Sequence, residues 1–159
     1  MSKALRISAS GDREITMTRE FDAPRRLVFE AYTKPELLKR WLGVREGWVL
    51  AECDVDLRVG GAYRYLWQNA ARGTQMGVSG AFREILVPER IVCTERFDEP
   101  WYEGEGLNTA SFTEHAGKTT LVVTLRYEST ETRDRVLRSP MERGVSDSYD
   151  NLAALIATL

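Results

Sequence analysis

The sequence predicts an α+β fold: a curved antiparallel sheet of about seven strands wrapped around one long C-terminal helix, with two short helices between the first and second strands. Three observations carry this expectation. Apolar and polar residues alternate over 15–21, helical spacing takes over across 24–41, and alternation then returns over 48–129 before a single amphipathic stretch closes the chain. A closing helix laid across a curved sheet leaves a hollow beneath it, so binding of something small is the first functional expectation.

Ile15, Met17, Arg19 and Phe21 alternate with Thr16, Thr18 and Glu20, the period of a strand with one face turned inward. Asp22 is placed to cap a helix starting near Pro24, whose missing N–H costs nothing at a helix start, and Leu27, Val28, Ala31 and Tyr32 form its apolar side. Lys34-Pro35 ends that helix, because a residue before proline is pushed out of helical geometry. A second short helix over 36–41 carries Leu37, Leu38 and Trp41 and stops near Gly43. Strands are expected over 48–57, 62–67, 75–87, 91–97, 106–114 and 119–129, with turns at Gly60-Gly61, Pro88-Glu89-Arg90 and His115-Ala116-Gly117-Lys118. The loop between Asp98 and Glu105 brings Trp101 and Tyr102 toward a cavity mouth or onto the nearest strand. Ser139-Pro140-Met141-Glu142 combines a serine cap, an early proline and a glutamate that satisfy orphaned backbone donors. Met141, Val145, Ser148, Leu152, Leu155 and Leu159 then recur at helical intervals, with Tyr149 and Ile156 widening the stripe.

Composition narrows the function classes. The 159 residues suit one domain, read as a flexible tail over 1–13 and a folded unit over 14–159. With 22 basic and 24 acidic residues and a formal charge of -2, no broad basic field exists for phosphate backbones, so nucleic acid is not expected as a partner. No stretch approaches the roughly 18 apolar residues of a membrane helix, and the N-terminal segment lacks a secretory core, so a cytoplasmic protein without membrane association is expected. Cys53 and Cys93 lack CxxC spacing and are read as reduced, partly buried thiols; no cofactor and no metal site are expected.

Four blocks in order carry a family resemblance. They are Arg19-x-Phe21-x-Ala23-Pro24, Val28-Phe29-x-Ala31-x-Thr33-x-Pro35-Glu36-Leu37 with Trp41, Asp56-Leu57-Arg58-Val59-Gly60-Gly61-x-Tyr63-Arg64, and Phe82-x-Glu84-Ile85-x-x-Pro88-Glu89-Arg90-Ile91-Val92. Together they resemble the bacterial single-domain relatives of the activator of heat-shock-protein-90 ATPase, in the START-like (SRPBCC) superfamily with polyketide cyclases and pollen-allergen-type carriers. The resemblance runs from about Ile15 to Leu159. It implies a helix-grip fold and a lipid-binding-like cavity, and it raises a chaperone as partner in a stress-response role. The family's closing helix commonly begins Ser-Gly-Met and carries Gly-Trp a turn later, where this chain has Ser139-Pro140-Met141 and Gly144-Val145. Valine in place of tryptophan implies extra room beneath the helix.

Alternation turns Tyr63, Tyr65 and Trp67 inward, then Met76, Val78 and Phe82, Cys93 and Glu95, Asn108, Ala110 and Phe112, and Leu121, Val123, Leu125 and Tyr127. Most of these are core in any reading. Polar Arg19, Glu95, Asn108 and the Tyr63 hydroxyl interrupt the apolar faces, and sparse polar points in an apolar lining are how pockets orient small molecules. Arg19 with Glu95 reads as a structural ion pair or as two solvated side chains, and a bulge between Phe82 and Ile85 would reverse the faces after it. The leading expectation is a binding module for a small hydrophobic or aromatic ligand lined by Trp41, Tyr63, Tyr65, Trp67, Met76, Phe82, Cys93, Glu95, Asn108, Ala110, Val123, Met141, Val145 and Tyr149. The alternatives are a chaperone-associated interaction module and a cyclase- or hydrolase-like enzyme with Glu95 as acid or base. Catalysis is the weaker expectation, since the one histidine, His115, falls in a turn. Monomer and homodimer are both open.

Overall fold

The computed structural model describes residues 4–100, 102 and 104–159. Its elements run β1 (Arg6–Ser10), β2 (Glu14–Phe21), α1 (Arg25–Thr33), α2 (Pro35–Leu38), β3 (Trp48–Val55), β4 (Ala62–Asn69), β5 (Thr74–Leu86), β6 (Arg90–Phe97), β7 (Gly106–His115), β8 (Lys118–Arg126), α3 (Thr130–Arg138) and α4 (Met141–Ile156). The strands form one sheet in the order β1-β2-β8-β7-β6-β5-β4-β3, each neighbour antiparallel. The chain leaves β2 at one side of the sheet and re-enters at β3 on the far edge, so α1 and α2 span the gap. This is the expected α+β helix-grip arrangement.

The sheet has eight strands rather than about seven, and the additional one corrects the expected tail. β1 falls inside 1–13 and pairs with β2, Ile7 opposite Met17 and Ala9 opposite Ile15. An edge strand with one weakly apolar face leaves little periodicity to read. α3 is also unforeseen: Ser129 caps it, its Oγ accepting from the Thr132 amide at 3.1 Å, but Val136 and Leu137 are its only large apolar residues. Its Arg133, 7% exposed, turns back to the β1–β2 hairpin and donates to the carbonyls of Ser10 (3.4 Å), Gly11 (3.3 Å) and Glu14 (2.8 Å). A cation there satisfies three carbonyls that a packed helix would otherwise strand.

Two expected caps are corrected. Pro24, not Asp22, occupies the N-cap of α1, and Asp22 lies 3.6 Å from Lys118 instead. Ser139 closes α3 rather than opening α4, donating to the Val136 carbonyl, and Pro140 is the N-cap of α4. α2 is shorter than expected, and Trp41 lies in the turn after it. The bulge expected after Phe82 is present between Phe82 and Glu84, and a second lies between Leu50 and Glu52. Such bulges bend strands, and this bend turns Glu84 outward to pair with Arg90 at 3.0 Å.

The core joins β2, β7 and β8 to α1 and to the C-terminal half of α4, through Ile15, Phe21, Val28, Phe112, Leu121, Val123, Leu152, Leu155 and Ile156. α4 is divided along its length. Leu152, Leu155 and Ile156 are buried, whereas Met141 and Val145 are half-buried. Full burial of each such aliphatic side chain contributes about 1.5–3 kcal/mol, so the C-terminal half anchors the helix.

Candidate ligand cavity

Beneath the half-buried end of α4 lies a cavity of about 650 Å³, walled by Met17 of β2, Trp48 of β3, Trp67 of β4, Met76 of β5, Phe97 of β6, Val123 and Leu125 of β8, and Val136 of α3. Met141, Val145, Ser148 and Tyr149 of α4 form its roof. A smaller lobe of about 170 Å³ runs between α1, α2 and strands β3–β7 past Trp41, Tyr63, Tyr65, Val78, Phe82, Cys93 and Ala110. Tyr32, Leu42, Trp67, Glu95, Phe97 and Asn108 line both lobes and form their shared wall, termed the neck.

Each residue proposed from the sequence for a ligand wall lies on one or both lobes. Trp41, Tyr63, Tyr65, Phe82, Cys93 and Ala110 face the smaller, Met76, Val123, Met141, Val145 and Tyr149 the larger, and Trp67, Glu95 and Asn108 both. Met76 is 45% exposed and sits at the rim. Sequence reasoning missed Tyr32, Leu42, Trp48 and Phe97. Tyr32 had been assigned to the apolar side of α1, and no periodic signal links that helix to the neck. Arg19, read as a cavity group, is on neither wall: it pairs with Asp150 of α4 at 2.8 Å and stacks over Phe21. Trp101 lies outside the described residues, while Tyr102 is buried edge-on to Phe97 and Tyr127.

The loop after α2 is stitched to both sides of the hollow. Trp41 Nε1 donates to the Ala31 carbonyl at 2.8 Å, and Trp67 Nε1 to the Leu42 carbonyl at 2.9 Å. The Gly43 amide donates to Ser148 Oγ at 2.9 Å, Asn151 Nδ2 to the Val44 carbonyl at 2.8 Å, and Arg45 Nε to Asp147 at 2.7 Å. Gly43 has φ +69°, and a Cβ there would fall 2.3 Å from Trp67 Nε1, so only glycine allows this approach.

Polar groups are spread thinly over the neck and both lobes. The Asn108 amide and the Tyr102 hydroxyl beside Glu95 act to lower its pKa, yet burial outweighs both and raises it above the usual carboxylate range. Burial also pushes the Cys93 thiol up to about 12 and Tyr149 to about 12, so both are neutral at pH 7. Tyr63 donates to the Thr94 carbonyl at 2.6 Å, and the Tyr32 and Tyr149 hydroxyls meet at 3.4 Å. Cys53 and Cys93 are free thiols, and His115 is exposed at the β7–β8 turn. Among the described residues no group of three or more His, Cys, Asp or Glu converges on a metal position, and no helix is long and apolar enough to cross a membrane.

The raised Glu95 pKa fixes a stability trend. Between the unfolded carboxyl value of about 4.3 and the higher folded value, the folded state binds more protons, so stability falls as pH rises through that window. Glu95→Gln is therefore expected to melt higher than wild type at pH 7, the difference closing on acidification toward pH ~4. Thermal melts across pH check this, and a glutamine variant that is less stable at pH 7 would contradict it.

Solved structures share this architecture. A crystal structure of a protein from Rhodobacter sphaeroides superposes with a TM-score of 0.91 at 29% identity, covering 98% of this chain and 99% of that one. Protein CV1439 from Chromobacterium violaceum gives 0.77 at 28% identity over 91% of this chain and 96% of that one. An AHSA1-like protein from Aeromonas hydrophila, 19% identical with a TM-score of 0.69 over 90% and 92% of the two chains, shares the fold. No curated protein matches the chain significantly. The family model described as activator of Hsp90 ATPase homolog 1-like protein matches residues 22–157. With the match spanning every element from α1 to α4, the chain belongs to the family of activator of Hsp90 ATPase homolog 1-like proteins.

Proposed function

We propose that this chain binds a small hydrophobic or aromatic molecule between the sheet and α4, without transforming it. The observation that carries the reading is the hollow of about 650 Å³ under the half-buried end of α4, within the range of roughly 300–1,000 Å³ typical of ligand pockets. Its wall is mostly aromatic and aliphatic, with Glu95 and Asn108 at the neck and Arg45, Ser139 and Ser148 nearer the roof, sparse polar points of the kind that orient an apolar body. Glu95 lacks an activated nucleophile beside it, since the Cys93 thiol stays protonated at neutral pH.

Titration with the neutral dye Nile red tests the reading. Saturable one-to-one binding with a blue-shifted emission is expected, together with displacement by small aromatic compounds; absence of saturable binding would sink it. The second reading, a chaperone-associated module, is favoured by the family description alone. Stimulation of a purified Hsp90 ATPase by this chain would support it.

A further inference from the structure

Resting on the ligand-binding reading, we infer that the preferred occupant is an apolar or aromatic molecule bearing a basic amine, its ammonium held by the Glu95 carboxylate at the neck shared by the two lobes. The placement of Glu95 comes first. It lies on the wall shared by both lobes, so a molecule seated in either one meets this carboxyl group.

The Asn108 amide and the Tyr102 hydroxyl lie beside Glu95 and both favour its ionised form, while burial disfavours it more strongly, so the carboxylate wants a further positive partner. Among the described residues no cation is recorded acting on Glu95. The titratable groups around Glu95 are Tyr63 and Tyr65 of β4, Cys93 of β6, Tyr102 of the β6–β7 loop and Tyr127 after β8, all held neutral by burial. Arg45 is the one cation on either described wall, and it is engaged by Asp147 at 2.7 Å and Glu46 at 3.4 Å.

A buried carboxylate without a counter-ion is costly, and a cation supplied by the ligand removes that cost. An ammonium also suits an aromatic lining, and Tyr32, Tyr65 and Trp67 line the same lobe as Glu95. A neutral alcohol of the same shape gains the apolar contacts but not the charge pairing. Protonation of Glu95 competes with the ammonium, so the amine's affinity falls on acidification while the alcohol's stays level.

Displacement of Nile red by 4-phenylbutylamine and by 4-phenylbutanol, from pH 5 to pH 8, tests this on wild type and on Glu95→Gln. The expected result is an amine at least about tenfold tighter than the alcohol at pH 8, about 1.4 kcal/mol. That preference, read as the ratio of amine to alcohol affinity within each protein, shrinks toward pH 5 and is lost in Glu95→Gln. Circular dichroism shows that the variant is folded. Equal affinities in wild type, or an amine preference that survives Glu95→Gln, would overturn the inference while leaving the binding reading intact. Tighter binding of the ketone 4-phenyl-2-butanone than of the amine, strengthening at low pH, would overturn it in favour of a protonated Glu95 that donates. Failure of Nile red and all three compounds to bind would instead remove the binding reading itself.

Discussion

Replacing Trp41 with alanine is expected to cost about 3–5 kcal/mol of stability and to lower the melting temperature by about 10 °C. The indole is 1% exposed and walls the smaller lobe, so truncation enlarges an internal hollow instead of leaving a surface dent. Its ring lies 5.5 Å from that of Tyr32 and 6.1 Å from that of Tyr149, so one side chain ties α1 to α4. Loss of its Nε1 donor also leaves the buried Ala31 carbonyl without that 2.8 Å partner. Chemical denaturation checks the figure. A loss below about 1 kcal/mol would mean that the ring is not the joint between these helices. Trp41→Phe keeps most of the volume and drops the donor, so its smaller loss separates packing from hydrogen bonding.

The second large effect concerns binding. Val145→Trp is expected to weaken Nile red by tenfold or more while leaving the melting temperature near wild type. Val145 is half-buried in the roof of the larger lobe, and an indole there projects into a hollow of about 650 Å³. Large-for-small replacement is costly where packing is tight, but here the added volume has space to enter. The expected signature is lost affinity without lost stability. Unchanged affinity in a folded variant would show that the dye does not occupy this lobe, and a strongly destabilised variant would show that the roof is already packed.

Much of the architecture was legible because it follows from periodicity. Tyr63, Tyr65 and Trp67 face inward because strand side chains alternate, and the break after Phe82 follows from the bulge. The neck was only half legible. Glu95 and Asn108 stand out as polar residues on apolar faces, but Tyr32 reaches the same place from a helix, and sequence spacing does not report which helix face meets which strand. The same limit misplaced Arg19, which lies on an inward face as expected yet finds Asp150 on α4 instead of Glu95. β1 and α3 escaped notice for a different reason. Each is held largely by polar contacts, Arg133 to the hairpin carbonyls above all, and such contacts leave no hydrophobic rhythm. The loop at 42–45 is likewise fixed by backbone hydrogen bonds to Trp67, Ser148 and Asn151, which composition does not encode.

The division of α4 has an evolutionary consequence. Leu152, Leu155 and Ile156 are buried in the core and secure the helix, while Met141 and Val145 are only partly buried at its margin and roof the hollow. Selection can therefore rewrite the roof positions to suit a new guest without unfolding the host, so chains of this shape are free to diverge in what they accommodate while their skeletons stay nearly superimposable.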